Sequence, residues 1–282
     1  MKRHIFKSAV LGILAFAAVS CNSDEFKKPD YYQQTASTKL GQQIVDGSSD
    51  YIAHVKNDVQ TKVAPGVTRL DISYLNQNGH AMQAFLYKVT LGPVSLIATA
   101  PKSGEKSELL TSMCSTVENQ GKYTVLGAIT GGNALGKGDA FFAVLKDDSA
   151  VCLPTSEYAA LSSKVTMGYS GTAHLLQDGY VLGQTDNATS ARAAVGVAEN
   201  GNEVYLLVVD GGDFFYSNGI GCKDLALLMK GCGAYNALAL NSGNPVTAIW
   251  RTMRSADIFD LLNKPANKGV EAEVAGGILI VQ

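Results

Sequence analysis

The chain reads as an α+β fold, a sheet-rich single domain of mixed or antiparallel strands with a few helices. Three observations predict it. Short apolar runs bounded by Gly, Asn and Pro recur along most of its length, which is the pattern of strands joined by tight turns. Helical periodicity is confined to a few stretches. The regular strand-helix alternation of a doubly wound parallel sheet is missing.

Taken in order, the first segment lies apart from the domain. Lys2 and Arg3 precede an apolar run from Ala9 to Val19, so residues 1–20 have the form of a signal peptide and are too short to span a bilayer comfortably. Ala18-Val19-Ser20-Cys21 resembles a bacterial lipobox, which makes Cys21 the expected lipidation site and the membrane a partner through a lipid anchor. Ser23-Asp24-Glu25 resembles the acidic tract that sends some Gram-negative lipoproteins to the cell surface. The expected location is the bacterial outer membrane, with surface exposure an open alternative. Residues 21–36 are polar and read as a tether, and residues 37–282 read as the domain.

Within the domain, residues 37–64 are expected to be helical, with Leu40, Ile44, Val45, Tyr51, Ile52, Val55 and Val59 near helical spacing and a break at Asp46-Gly47-Ser48. Strands are expected from Val67 to Leu75, Ala81 to Leu91 and Val94 to Ala100. Ser107 to Asn119 places Leu109, Leu110, Met113 and Val117 on one helical face. Strands then dominate: Tyr123 to Thr130, Ala140 to Leu145, Ala150 to Leu153, Ala173 to Leu182, Ala191 to Ala198 and Val204 to Val209. A helix over Lys223 to Lys230 stops at the glycines that follow, and "GGILIVQ" closes the chain as a strand. In "YNALALNSGNPVTAIW" (Tyr235 to Trp250) five polar or turn-forming residues, Asn241 to Pro245, interrupt apolar sequence. They make either an ordinary turn between two strands or a polar strand end that meets a ligand, and the residues alone favour the turn.

Composition narrows the function classes. With 23 basic against 25 acidic residues and no basic cluster beyond the signal segment, nucleic acid is not an expected partner. Cys114, Cys152, Cys222 and Cys232 allow disulfides in an exported chain. Cys222 and Cys232, at the two ends of the expected helix, would lie about 15 Å apart along its axis, beyond the roughly 7 Å a disulfide tolerates; a Cys114–Cys152 pair stays open. No cysteine or histidine spacing suggests zinc, and no metal or cofactor is expected.

Three stretches carry the chemistry. Arg192 enters an apolar strand, where an unpartnered cation would be costly; Val204 to Val209 ends on Asp210-Gly211-Gly212; and the third is the Asn241 loop. Read structurally, Arg192 and Asp210 are a strand-end salt bridge. Their order and spacing, however, resemble the phosphodiester glycosidase family, with its R-x-A-V-G, V-D-G, S-x-G and L-D-G-G-G-S motifs. The first three are met by Arg192, by Val209-Asp210-Gly211 and by Ser217-Asn218-Gly219. Gly127 to Asn133 resembles A-I-N-G-G-x-F with Thr130 in place of Asn, and Thr172 to Leu182 resembles an L-x-x-D-G segment, so the likeness spans about Val67 to Gln282. The departures lie at Asn241-Ser242-Gly243-Asn244-Pro245, where the family carboxylate is missing, and at Ala272 and Gly276, which replace a second Arg and an Asn.

The resemblance implies a glycoside hydrolase acting on sugar-1-phosphodiester or related glycans. In it Arg192 would hold phosphate, Asp210 would be nucleophile, base or orienter, and Asn241 would hold a sugar hydroxyl. Thr130, Asn133, Gly211, Ser217, Ser242 and Gly243 would line the substrate site, the partner being a carbohydrate or phosphorylated glycan. The alternative is a glycan-binding lipoprotein with a degenerate site. An amide at position 241 cannot act as a general base.

Overall fold

The computed structural model describes residues 27–252 and 258–282; the signal segment, Cys21 and the acidic tract lie outside the described residues. The chain runs α1 (Lys39–Gly47), β1 (Ile52–Ala64), β2 (Val67–Asn76), β3 (Ala81–Thr90), β4 (Ser95–Thr99), α2 (Leu110–Asn119), β5 (Val125–Thr130), β6 (Ala140–Leu145), β7 (Ala150–Pro154) and α3 (Tyr158–Leu161). It continues through β8 (Val165–Ser170), β9 (Ala173–Gln177), β10 (Tyr180–Val181), β11 (Arg192–Val197), β12 (Glu203–Val209), α4 (Cys222–Cys232), β13 (Asn236–Ser242), β14 (Ala248–Arg251), β15 (Phe259–Leu261) and β16 (Gly277–Val281).

These strands form three antiparallel sheets, in the orders β1-β2-β3-β12-β11-β13-β9-β10, β15-β14-β5-β16-β4 and β7-β6-β8. The central strands β11, β12 and most of β13 in the eight-stranded sheet are apolar on both faces and buried on both. One face packs on α1 and α4 through residues such as Ile44, Ala194, Leu207, Val209, Leu225 and Met229. The other meets the smaller sheets through Val195, Leu206, Val208, Leu238, Phe142 and Ile278. The five-stranded sheet is covered in turn by α2, with Leu110, Met113 and Cys114 against Ala128 and Leu279.

The sheet-rich α+β class is as the sequence implies, and two local expectations are corrected. The helical reading of residues 37–64 applies only to α1, because β1 occupies Ile52–Ala64 and pairs along its length with β2. The β-branched residues Ile52, Val55, Val59, Thr61 and Val63 favour the extended chain, and Ser48 caps the helix end before them, its N–H donating to the Val45 carbonyl. The tether expected over 21–36 is engaged at its C-terminal end. The Gln33 carbonyl accepts from the Val55 N–H (3.0 Å), and the Tyr32 and His54 rings stack 4.9 Å apart.

Among the described residues the cysteines, Cys114, Cys152, Cys222 and Cys232, are unpaired and buried. Cys114 lies on the buried face of α2 while Cys152 lies in β7 between sheets, so the pair left open by the sequence does not form. Burial pushes the Cys114 and Cys232 thiols up to about 12, which removes them as nucleophiles at neutral pH.

α1 and α4 cross at Gly47 and Gly231, where a Cβ on Gly231 would stand 2.7 Å from the Ile44 carbonyl oxygen and 2.1 Å from Ser48 Oγ. The crossing therefore depends on the missing side chain. Gly231→Ala should lower stability by about 1–3 kcal/mol in chemical denaturation even though alanine is the better helix former, because the backbone of α1 must move.

Candidate active site

The candidate site gathers where β11 begins, β12 and β13 end, and β5 hands over to β14. Arg192 is paired with Val209 on one side and Ser242 on the other, so the three sequence motifs occupy adjacent strand ends. The loop of Asn241 to Thr247 is not a hairpin turn. It carries the chain out of the eight-stranded sheet into the five-stranded one.

Asp210 faces that second sheet. Only 1% of its surface is exposed, and its carboxylate accepts from Asn263 Nδ2 (2.7 Å), the Lys264 backbone N–H (2.9 Å) and the Tyr216 hydroxyl (3.1 Å). Asn263 also donates to the Val246 carbonyl and accepts from the Ala248 N–H, so the carboxyl is tied to the start of β14. Burial raises the Asp210 pKa to about 6, partly offset by these three donors and by the Lys264 charge.

Arg192 does not join it. Directly opposed residues share a face and successive residues alternate, so Arg192 points with Val209 toward α4 and Asp210 points the other way. The guanidinium is committed there. Its Nε donates to the Ile220 carbonyl (2.8 Å), and one terminal nitrogen donates to the Ala188 carbonyl and to Asp186 Oδ2, both at 2.9 Å. The expected convergence of Arg192 and Asp210 on a single pocket is thus not the arrangement found. Arg192 serves as an internal clamp on the segment before β11 and the loop before α4.

Asn241 is on Asp210's side of the sheet, because a β-bulge sets Leu240 and Asn241 both against Ala193. Its Oδ1 accepts from the next residue's own N–H, Ser242, at 2.8 Å. Thr130 is fully buried and its hydroxyl is spent on backbone, donating to the Pro245 carbonyl (2.7 Å) and accepting from the Thr247 N–H (2.9 Å). Ser217 is equally internal, with Oγ donating to the Asp210 carbonyl (2.7 Å) and accepting from the Gln83 N–H (3.1 Å). A Cβ on Gly211 would lie 2.3 Å from the Ala191 nitrogen, so the missing side chain admits the neighbouring segment. Asn133 and Ser242 are exposed, and the Gly243 N–H donates to the Ala191 carbonyl at 2.9 Å.

Several residues of the site carried no clear sequence signal. Asn263 and Lys264 sit in "LLNKP", and Tyr216 just precedes the S-x-G motif. Tyr169 fills the space beside Gly276. Its hydroxyl bonds the Thr99 carbonyl (2.9 Å), and a Cβ on Gly276 would come within 2.6 Å of that hydroxyl oxygen. No side chain fits at 276, so the family Asn is replaced by a Tyr reaching in from β8. Glu271 is kept but turned to α2, accepting from the Thr111 N–H (3.0 Å) and hydroxyl (2.6 Å). Among the described residues no cluster of three potential metal ligands occurs.

The site is thus a buried, hydrogen-bonded carboxyl at converging strand ends of a layered antiparallel fold. The phosphodiester glycosidase family model matches residues 111–281, and the chain belongs to that family. Among solved structures it is similar to the zebrafish N-acetylglucosamine-1-phosphodiester alpha-N-acetylglucosaminidase catalytic domain auto-inhibited by its pro-peptide. The TM-score is 0.58 at 17% identity, covering 79% of this chain and 87% of that one. It is also similar to a hypothetical protein from Synechocystis (TM-score 0.55, 12% identity, 79% of this chain and 63% of that one). At these identities the likeness to solved structures is one of fold. No curated protein matches the sequence.

Asp210 gives the fold an unusual pH dependence. With a folded pKa of about 6, above the usual carboxyl value of 3.8, its favourable contribution is fully present below 3.8 and is lost as pH rises through 6. Across that window the stability of wild type minus that of Asp210→Asn should fall by up to about 3 kcal/mol, measured as paired urea titrations at pH 4 and pH 7.5. A difference that stays flat would show that the carboxyl is not held as described.

Proposed function

We propose that the protein is a glycoside hydrolase of the cell envelope, acting on a sugar-1-phosphodiester or related phosphorylated glycan with Asp210 as its principal carboxylate. The observation that supports this most is the setting of Asp210 within a phosphodiester glycosidase chain: buried, oriented by Asn263, Lys264 and Tyr216, and with its pKa raised to about 6. Breaking the bond between the anomeric carbon and the phosphate oxygen builds positive charge on the ring, and the bond's electron pair leaves on that oxygen. A phosphate monoester departs readily without protonation. The reaction then chiefly needs an anion beside the anomeric carbon, and ionised Asp210 supplies it, either by taking a proton from an attacking water or by attacking the carbon itself. A pKa of about 6 leaves the group charged at neutral pH yet more basic than an ordinary carboxylate.

A second reading is favoured by one feature. The residues that depart from the family are engaged by backbone, Thr130 with Pro245 and Thr247, and Asn241 with Ser242. That is what a glycan-binding protein without turnover would retain.

The two readings part on one measurement. Hydrolysis of a sugar-1-phosphodiester by wild type should rise with pH through about 6, as the carboxylate form accumulates. Asp210→Asn should lower kcat by roughly 100-fold or more. Binding without turnover by wild type would establish the second reading, and turnover indifferent to Asp210→Asn would end the first. For location, the lipobox resemblance of Ala18 to Cys21 supports anchoring by lipid on Cys21. Cys21→Ser should move the protein from the membrane fraction to the soluble one on cell fractionation, since acyl chains would be its anchor.

A further inference from the structure

The loop after Asp210 builds a second feature. Asp213 to Ser217 form a tight turn in which the Asp213 carbonyl accepts from the Ser217 N–H (2.7 Å) and the Asp213 carboxylate accepts from the N–H groups of Phe215 and Tyr216, both at 3.2 Å. This turn holds two aromatic rings outward. Phe214 is 59% exposed and Phe215 is 90% exposed, the largest exposure of any apolar side chain described. Their rings meet edge to face at 5.5 Å, and Phe214 leans on His80 at 5.6 Å. Solvating so much aromatic surface on an ordered turn is unfavourable unless something covers it.

Facing them across a surface cavity of about 370 Å³ is the Lys264–Gly269 segment. Its own turn, with the Gly269 N–H donating to the Pro265 carbonyl (2.8 Å), sets Lys268 on the rim. Lys264 Nζ lies 2.9 Å from Asp213 Oδ2 and 5.0 Å from the centre of the Tyr216 ring, while its backbone N–H holds Asp210. Tyr216 likewise lines the cavity with its ring and bonds Asp210 with its hydroxyl. Two walls of the cavity are therefore made by the same residues that orient the candidate catalytic carboxyl. The floor is the backbone of Gly211 and Gly212, the latter at φ 82°, a conformation that favours glycine.

We propose that this cavity is a subsite for a phosphorylated sugar, with the Phe214 and Phe215 rings covering an apolar sugar face and Lys268, assisted by Lys264, meeting the phosphate. Aromatic faces offer large rigid contact area at little entropic cost, and an ammonium on a mobile stem suits a phosphate approached from solvent. The same assignment supplies the phosphate-binding cation that Arg192, buried on the far face and paired with Asp186, does not provide. It deepens the reading of Asp210 as the catalytic carboxylate and rests on that reading for its place in turnover, while the binding itself does not require Asp210 to react.

The test is calorimetric titration of the full chain with the α-1-phosphates of N-acetylglucosamine, glucose, galactose and mannose, with each neutral sugar as control. At least one phosphate should bind more tightly than its neutral parent, and the gap should close in high salt, because an exposed ion pair is screened. Replacing both rings (Phe214→Ala with Phe215→Ala) should weaken binding about tenfold or more. Lys268→Ala should weaken only the phosphorylated ligand. These residues are exposed, so the variants should fold, and an unchanged denaturation midpoint would verify it.

Failure of all four phosphates to bind wild type, or binding indifferent to the ring and Lys268 variants, would overturn the subsite whatever Asp210→Asn does to turnover. Loss of turnover in Asp210→Asn with sugar phosphate binding retained would support both inferences, whereas retained turnover would remove the mechanism and leave the subsite standing. Sedimentation with phosphatidylglycerol vesicles is the remaining arm. If the two phenylalanines drive vesicle binding and no sugar phosphate binds, the patch is a membrane contact and the proposal fails.

Discussion

The carboxyl of Asp210 is a polar fastening between the two main sheets, set at the edge of the apolar core they share. It ends a central strand of the larger sheet and accepts hydrogen bonds from Asn263 and Lys264, which follow β15 of the smaller one. Asn263 passes the connection on to Val246 and Ala248. A carboxylate taken this far out of water is costly unless its lone pairs are met, and here three donors meet them. The constraint runs in both directions. The sheets hold the carboxyl in one orientation, and the carboxyl dictates where the Asn241–Thr247 crossover, the Lys264 segment and the Tyr216 turn must lie. A group held this firmly, at a pKa near neutrality, is suited to chemistry as well as to structure.

The departures from the family pattern are not scattered. Thr130 is bonded to Pro245 and Thr247, so the hydroxyl that stands for the family Asn and the proline that stands for its serine stabilise each other. Gly276 and Tyr169 form a second matched pair, since the ring can enter only where a side chain is missing. These substitutions are therefore compensated by contacts, and the strand ends have settled around a different loop path. Changing one position back to the family residue would leave its compensating partner in the way, as Tyr169 would be for any side chain at 276. The result is a buried carboxyl that is retained while its surroundings are rebuilt, with the turns at Asp213–Ser217 and Lys264–Gly269 setting cations and aromatic rings beside it.

Much of the fold was legible in the sequence because the strands bury both faces and so stand out as apolar runs. β6 spans Ala140–Leu145, β11 and β16 lie within the runs read for them, and β12 starts one residue before its run. Where a segment had polar residues on one side the pattern misled, as in Ile52–Ala64, whose apolar spacing fits a helix until β2 pairs with it. The short strand β15 was hidden because its three residues gain their order only by pairing with β14.

By itself the sequence determined the α+β class and the order of most elements, which follow from local apolar pattern, and the family, through the resemblance of its motifs at Arg192, Asp210 and Ser217. Only the tertiary structure decided which groups meet. The two-residue alternation of a strand turns Arg192 and Asp210 to opposite faces although both stand at adjacent strand ends. Asn263, Tyr216 and Tyr169 reach their places through long-range packing that no local spacing encodes. The Asn241 loop looked like a turn, and it became a crossover between sheets because Asp210, Asn263 and Thr130 hold its far end in the second layer.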